Sequence, residues 1–507
     1  MTHGIESLAS VTGHADLTAD VVVIGSGCGG ATAARVLAEA GKDVVVLEEG
    51  ADRTGTQLTQ RDGEMYDQLY MDRGGRSTED LAISVLSARV LGGGGVINAS
   101  DVVPLHEGVL AHWRRRFHLS DLTDATLAPF AEAALRDLSA SRITADQTNR
   151  ANHLLQLGTE RMGWAGERMM HNRVGCQGMG TCLIGCPINA KKNPRFVAIP
   201  AAVEAGARFY TRARAMRIEG ARADTKTVTV RTLDERGYHE VGELRVRAPQ
   251  VVVACNAVAT AELLMRSGIG NEHVGQNLIL QPQLPIVARF RETVNAFRGI
   301  PQVWAVTEFE QHDHPEHGLW GYRIEAIMGT PGIVSTLMPY VGRQSEEMMR
   351  RYHRIAASLL LVPDVPSGHV RPGENGRPII GYTHRGEHKS RMRAAARAAA
   401  QIYLAAGATE VMIPTVPPVR IRRERDIQHI DAMDLRPATA PLLSAHQQGT
   451  ARMSASAAEG AIDPDGQVWG TRGIYVMDAS MFPSSASSHT MTPIITMARY
   501  LATKLAG

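Results

Sequence analysis

No stretch of 18 or more uninterrupted apolar residues occurs in this 507-residue chain, which argues against a membrane-spanning helix. Neither sign of charge is in excess: 54 Lys and Arg stand against 52 Asp and Glu, a net of +2. That balance gives no footing for nucleic acid or an anionic membrane as partner. The first 20 residues carry Glu6, Asp16, Asp20 and two histidines and lack an apolar signal core, so a cytoplasmic location is expected. Cysteine is scarce, at 5 residues, too few for a disulfide framework. Internal repeats and low-complexity linkers are absent as well.

What is present reads as a soluble globular enzyme, with 44% hydrophobic and 21% charged residues. At roughly 150 residues per domain, the length suggests two to four domains. Residues 20–50, DVVVIGSGCGGATAARVLAEAGKDVVVLEEG, place an apolar β-branched run, Val21 to Ile24, before glycines and an alanine-rich helix. Gly41 marks the end of that helix and a second apolar run, Val44 to Leu47, follows. This is the strand–helix–strand unit of a parallel sheet buried on both faces. Similar strand signals recur at Gln250 to Cys255, before the helical ATAELLMRSG, and at residues 473–478. Alternation in 226–232 and 243–249 predicts an antiparallel hairpin, and 390–408 a surface-packed helix. The histidine-dense segment 310–320 reads as a solvated loop, with metal binding as the lesser alternative.

Within the first unit, Gly25-x-Gly27-x-x-Gly30 opens the helix at a strand end. Gly25 permits the tight turn, Gly27 lets backbone approach a pyrophosphate, and Gly30 allows close helix–strand packing. The diphosphate then meets free N–H groups and the helix dipole. Glu48, 18 residues after Gly30, ends the second strand, where a carboxylate accepts from both ribose hydroxyls and repels a 2′-phosphate. NAD and FAD are equally served by this unit. Four consecutive glycines, Gly92 to Gly95, carry an entropic cost that makes sense where something approaches the backbone closely.

With Arg89-Val-Leu-Gly92-Gly93-Gly94-Gly95-Val-Ile-Asn98 on the page, the N-terminal half resembles the glucose–methanol–choline (GMC) oxidoreductases, in which the glycine run lies along FAD. NAVATAELLMRSGIG (256–270) resembles a later family signature, with Asn256 where glycine is usual and Ala261 where proline or serine is usual; Asn tolerates the positive φ such a turn needs. Some members attach FAD through a histidine one residue before the equivalent of Asn98; Ile97 stands there, so the resemblance implies non-covalent FAD. HQQGTARM (446–453) and DASMFPSSASSHTMT (478–492) resemble the catalytic segments, which makes His446 and His489 the implied active-site pair, with His446 the favoured base. Asp478 is implied beside the FAD and the Ala215 backbone near its adenine, while Arg452 and Met453 pack or line the flavin. Imidazole chemistry agrees, since a group of pKa about 6.5 accepts an alcohol proton near neutrality as hydride leaves the carbon. The second histidine can hold the oxygen and stabilise the developing alkoxide.

Cys176, Cys182 and Cys186 form C-x5-C-x3-C, which resembles a segment of long-chain alcohol oxidases, bacterial cholesterol-oxidising homologues and sugar dehydrogenases of the same family. In the sugar dehydrogenases this spacing holds a three-iron [3Fe-4S] cluster, and thiolates suit such clusters. The alternative is a remnant of small residues packed beside FAD with idle thiols.

The resemblance implies an α/β fold: a doubly wound Rossmann-type FAD-binding domain over 18–104, 193–285 and 440–507, with an inserted α+β substrate domain over 105–192 and 286–439. The expected activity is FAD-dependent oxidation of a small-molecule alcohol, electrons passing to oxygen, a quinone or a cytochrome. A flavin-bound lyase of the hydroxynitrile-lyase kind, a non-redox flavoprotein, and a biosynthetic desaturase or cyclase stand as alternatives.

Overall fold

A computed structural model describes residues 4–327, 329–374 and 377–507. The apolar run predicted at the start forms the strand Val21–Ile24, which lies fully buried within a six-stranded sheet. Across that sheet run Ile5–Ser7, Arg208–Thr211, Val44–Glu48, Val21–Ile24, Gln250–Val253 and Ile474–Val476, every neighbouring pair parallel. Parallel strands with helices on both faces need continuous Val and Ile, because neither face meets water. Helix Cys28–Glu39 packs against one face beside Met491–Ala506 and ends where the sequence placed its stop, with Gly41 at φ 81°. The predicted hairpin is present as Lys226–Leu233 against Glu240–Ala248, inside a four-stranded sheet completed by Ala213–Glu219 and Gly13–Thr18.

A nine-stranded sheet forms the second layer, with Gln283–Arg289 paired to Ile355–Leu361 near its middle. Helices Arg150–Met162 and Gly386–Ala405 pack together on it. The helix expected at 390–408 is thus more deeply placed than a surface helix: its alanine face, Ala395 to Ala400, and Tyr403 are buried in the core of this layer. Where the sequence assigned all of 105–192 to the substrate domain, the packing divides it. Val109, Trp113, Phe117 and Leu127 join the core of the parallel sheet, while Ala151, Leu154 and Leu155 join the second. Trp113 explains the first group: its indole N–H donates to Ser484 Oγ at 2.8 Å and its ring stacks on Phe482 at 5.6 Å, anchoring helix Glu107–Phe117 to the C-terminal segment.

Residues 310–320, read from the sequence as a solvated loop, form a hairpin of Glu310–His314 and Gly318–Gly321. The histidines are spent on packing rather than on solvent. His106 stacks on His312 at 4.3 Å, His317 stacks on Trp320 at 4.2 Å, and a Cβ at Gly108 would meet the His312 carbonyl at 2.2 Å.

Candidate active site

A cavity of about 1130 Å³ runs from the C-terminal ends of the parallel strands to the face of the nine-stranded sheet. Drug-sized ligands occupy roughly 300–1,000 Å³, so this volume suits an extended ligand plus a second molecule. Gly25, Gly27, Glu48, Gly93, Gly94, Asn98, Ala215, Asp478, His446 and His489 all line it. Two predicted glycines stand just behind the lining. A Cβ at Gly30 would lie 1.9 Å from the Gly25 carbonyl, and Gly92, at φ 98°, donates its N–H to Ser26 Oγ at 3.1 Å.

The glycine run turns at Gly93, φ 58°, and leads into the short helix Gly94–Ile97. There it crosses the first glycine loop so closely that a Cβ on Gly93 would come within 2.5 Å of Gly27 Cα. Together the two loops make a backbone cradle at the N-terminus of Cys28–Glu39, where unpaired N–H groups favour a pyrophosphate. Glu48 accepts from Ser26 N at 3.1 Å, Ser26 Oγ at 2.6 Å and Gly50 N at 2.7 Å, which locks its orientation, while burial raises its pKa. Asn256 takes φ 75° and caps helix Ala257–Arg266 by accepting from Val258 N and Ala259 N, so asparagine does serve the turn where glycine is usual. Asp478 accepts from Thr260 Oγ1 at 2.6 Å and Ser480 N at 2.8 Å, tying that helix to the C-terminal segment. Arg452 and Met453 do not line the cavity: Met453 is buried in the first core and Arg452 lies over the Phe117 ring.

His446 and His489 meet at the other end, ring centroids 5.0 Å apart and planes at 76°. Their surroundings push them in opposite directions. Burial, and then the charge on His489, press the His446 pKa down to about 3, so His446 is neutral. Its Nδ1 lies 2.7 Å from Gln281 Oε1 and 3.1 Å from Gln283 Nε2. We assign the proton to Nδ1, donated along the shorter contact, which leaves the Nε2 lone pair for the cavity. Asp364 steadies this arrangement by accepting from Leu280 N at 3.0 Å and Gln281 N at 2.8 Å. His489 is raised instead: burial opposes its charge, but Glu325 and Asp101 outweigh burial. Its Nε2 contacts the Glu325 carboxylate at 2.8 and 3.0 Å, and Glu325 in turn accepts from Arg323 Nε at 2.5 Å and Gln302 Nε2 at 3.0 Å. Two residues of one type, one pushed down and one pushed up by their surroundings, therefore share one pocket.

Charged residues such as Arg76, Arg214 and Glu262 line part of the cavity wall, and another stretch of it is apolar. Val287, Ile327, Val334, Leu337, Met338 and Ile355 line it, drawn from the nine-stranded sheet and helix Pro331–Leu337.

The iron–sulfur site expected at Cys176, Cys182 and Cys186 is not supported. Among the described residues, no three His, Cys, Asp or Glu side chains converge into a set that could hold a metal ion. Arg173 Nη1 lies 3.2 Å from Cys182 Sγ and 3.9 Å from Cys176 Sγ, so a guanidinium stands against two of the sulfurs. Nearby, the fully buried Lys191 donates to the carbonyls of Val96 (2.8 Å), Asn98 (2.6 Å) and Cys182 (2.9 Å), which pins the cysteine loop to the end of the glycine run. Burial pushes this lysine down to about 8.

Sequence reasoning missed Asp101, Glu325, Gln281, Gln283 and Lys191. Glu325 had one legible signal, an acid within the buried-strand pattern Arg323–Ile327, but its partner lies 164 residues away.

Three family profiles match the chain: two described as GMC oxidoreductase, over residues 66–283 and 366–498, and one described as FAD binding domain, over residues 20–66. An uncharacterized GMC-type oxidoreductase of Mycobacterium tuberculosis is 34% identical over 487 residues, covering 95% of this chain and 74% of the relative. A long-chain-alcohol oxidase of Arabidopsis thaliana is 28% identical over 513 residues, covering 96% of this chain and 68% of the relative. Among solved structures, pyridoxine 4-oxidase from Mesorbium loti superimposes with a TM-score of 0.71 at 16% identity, covering 96% of this chain and 98% of that one.

Proposed function

Because this chain belongs to the GMC oxidoreductases and is an FAD-dependent enzyme oxidising alcohols, we propose that its substrate is an alcohol carried on an apolar chain, with His446 as the base. The observation that carries this reading is the pairing of His446 and His489, held by opposite surroundings, beside the apolar stretch of the cavity wall formed by Val287, Ile327, Val334, Leu337, Met338 and Ile355. FAD, when bound, accepts the hydride. His446 Nε2 takes the hydroxyl proton, while the Nδ1 proton stays on the ring and is donated to Gln281 Oε1. His489 offers fixed positive charge where the oxygen becomes negative. The plant relative's name, long-chain-alcohol oxidase, supports the same substrate class and makes dioxygen the proposed acceptor. Redox relatives likewise favour oxidation over the lyase alternative. The cofactor is proposed to be non-covalent, since Ile97 rather than histidine precedes Asn98. Five free cysteines fit the cytoplasmic location expected from the sequence.

Aerobic assay of the purified protein against primary alcohols of rising chain length, with peroxide measured, tests the proposal. Activity that rises with chain length supports it; activity confined to polar polyols sinks it. Leu337→Asp places a charge in the apolar wall and is expected to raise KM for a long-chain alcohol about 10- to 100-fold, the scale of a lost leucine contact, while short alcohols change little. Gly93→Ala is expected to yield folded protein with a low flavin-to-protein ratio. Its methyl would meet Gly27 Cα at 2.5 Å, and its φ of 58° adds about 1–2 kcal/mol of strain; unchanged flavin content would contradict the cradle.

A further inference from the structure

On the far side of His489 from Glu325 lies a second carboxylate. Asp101 is 4% exposed, and its Oδ2 is 3.9 Å from His489 Nδ1. We infer that Asp101 is a positioning residue for the oxidation, held in place by His171 and Arg173 so that His489 carries a fixed charge between two carboxylates. The inference deepens the function proposed above and rests on its assignment of His446 as the neutral base.

Each link is geometric. Asp101 Oδ1 lies 2.8 Å from His171 Nε2, off the straight hydrogen-bond axis. Arg173 Nε donates to His171 Nδ1 at 3.0 Å, so Nδ1 is the acceptor and Nε2 carries the hydrogen that faces Asp101. Arg173 is itself tied to the Ala99 carbonyl and to Cys182 Sγ. The backbone is fastened on both sides of Asp101: Asn172 N donates to Ser100 O at 3.1 Å and Val102 N to Met170 O at 2.9 Å. Ser100, fully buried, is forced to φ 82°, a strained conformation that the surroundings must over-determine. Strain of this kind, one residue from a buried carboxylate and five residues after the glycine run, fits a site where aim matters more than stability.

Among the described residues, the ionisable groups around His489 and Asp101 include His171 and Arg173, Glu325, Arg323 and Glu310 on the nine-stranded sheet and its hairpin, and His446 across the cavity. Glu310 is engaged by Arg323 at 2.8 Å, which leaves Glu325 and Asp101 as the carboxylates that contact the imidazole. Glu325 hydrogen-bonds one nitrogen and Asp101 lies 3.9 Å from the other, an arrangement that favours the imidazolium and restrains the ring.

Asp101→Asn keeps the shape and removes the charge. In the FAD-loaded enzyme, assayed with a long-chain primary alcohol, kcat should fall roughly tenfold with KM nearly unchanged, the effect of losing a supporting partner. The limb of kcat/KM that reports loss of the His489 proton should move to lower pH by about one unit. An unchanged profile, or a lower kcat with the limb in place, overturns the inference, since a merely structural residue would not move it. A second measurement needs no turnover: 15N-histidine NMR titrations of wild type and Asp101→Asn, with His489 assigned from His489→Gln. Loss of the doubly protonated imidazole at lower pH in the variant supports the inference; coincident titrations overturn it, because Glu325 alone would then hold the charge. If wild type oxidises no alcohol, the proposed function fails, and this comparison still decides the role of Asp101; Asp101→Ser takes the place of Asp101→Asn if that variant does not fold.

Discussion

His446→Asn is expected to slow turnover about 10²- to 10⁴-fold, the range a positioned general base contributes, while flavin content and KM stay close to wild type. The environment sets the protonation state of the residue and the atom it presents. Burial and the neighbouring imidazolium hold His446 neutral across the working pH range, with the pKa pushed to about 3. Its Nδ1 is engaged by Gln281, so Nε2 is the basic atom left for the cavity. Asparagine can still contact the hydroxyl but cannot take its proton. Anaerobic stopped-flow reduction of the flavin checks this directly. Reduction within about tenfold of wild type would remove His446 from the role of base and pass it to another residue.

Glu325→Gln should have the largest effect on stability, about 3–5 kcal/mol near neutral pH, since it breaks a buried ionic set and leaves charged partners behind. Glu325 is fully buried and meets His489, Arg323 and Gln302 at once. A glutamine presents N–H groups where three donors already converge. The pH dependence has a definite sign. His489 is raised in the folded state, so its contribution is complete below its unfolded pKa of about 6.5 and is lost as pH rises through the folded value. Glu325 is lowered, so its contribution holds above about pH 4.3 and is lost as pH falls through its folded value. The penalty is therefore greatest between those limits and shrinks toward either extreme. Urea unfolding of both proteins from acid to alkaline pH measures it; a penalty that does not vary with pH would mean that the loss is one of shape and not of charge.

The sequence carried the local chemistry. Val21 to Ile24, Gly25, Gly27 and Glu48 belong to one short unit whose turn, helix and strand are decided by neighbours within about 30 residues, and glycine there answers to a backbone contact that almost nothing else permits. The histidines could be paired because each sits in its own recognisable segment. The cysteine spacing, by contrast, pointed to a metal site, yet among the described residues no ligand set converges there, because spacing along a loop does not fix where the sulfurs end up in space. The polar segment 310–320 misled in the same way: its histidines look solvated in sequence and are stacked in the fold.

What the sequence by itself determined is the parallel sheet, the dinucleotide cradle and the identity of two histidines, since periodicity and glycine placement are short-range properties. Tertiary structure alone decided that those histidines differ. Burial lowers His446, whereas His489 is raised because Glu325 and Asp101, 224 residues apart in the chain, are brought to opposite sides of its imidazole. The charge of a buried group is set by what surrounds it in space, and no motif along the chain records that.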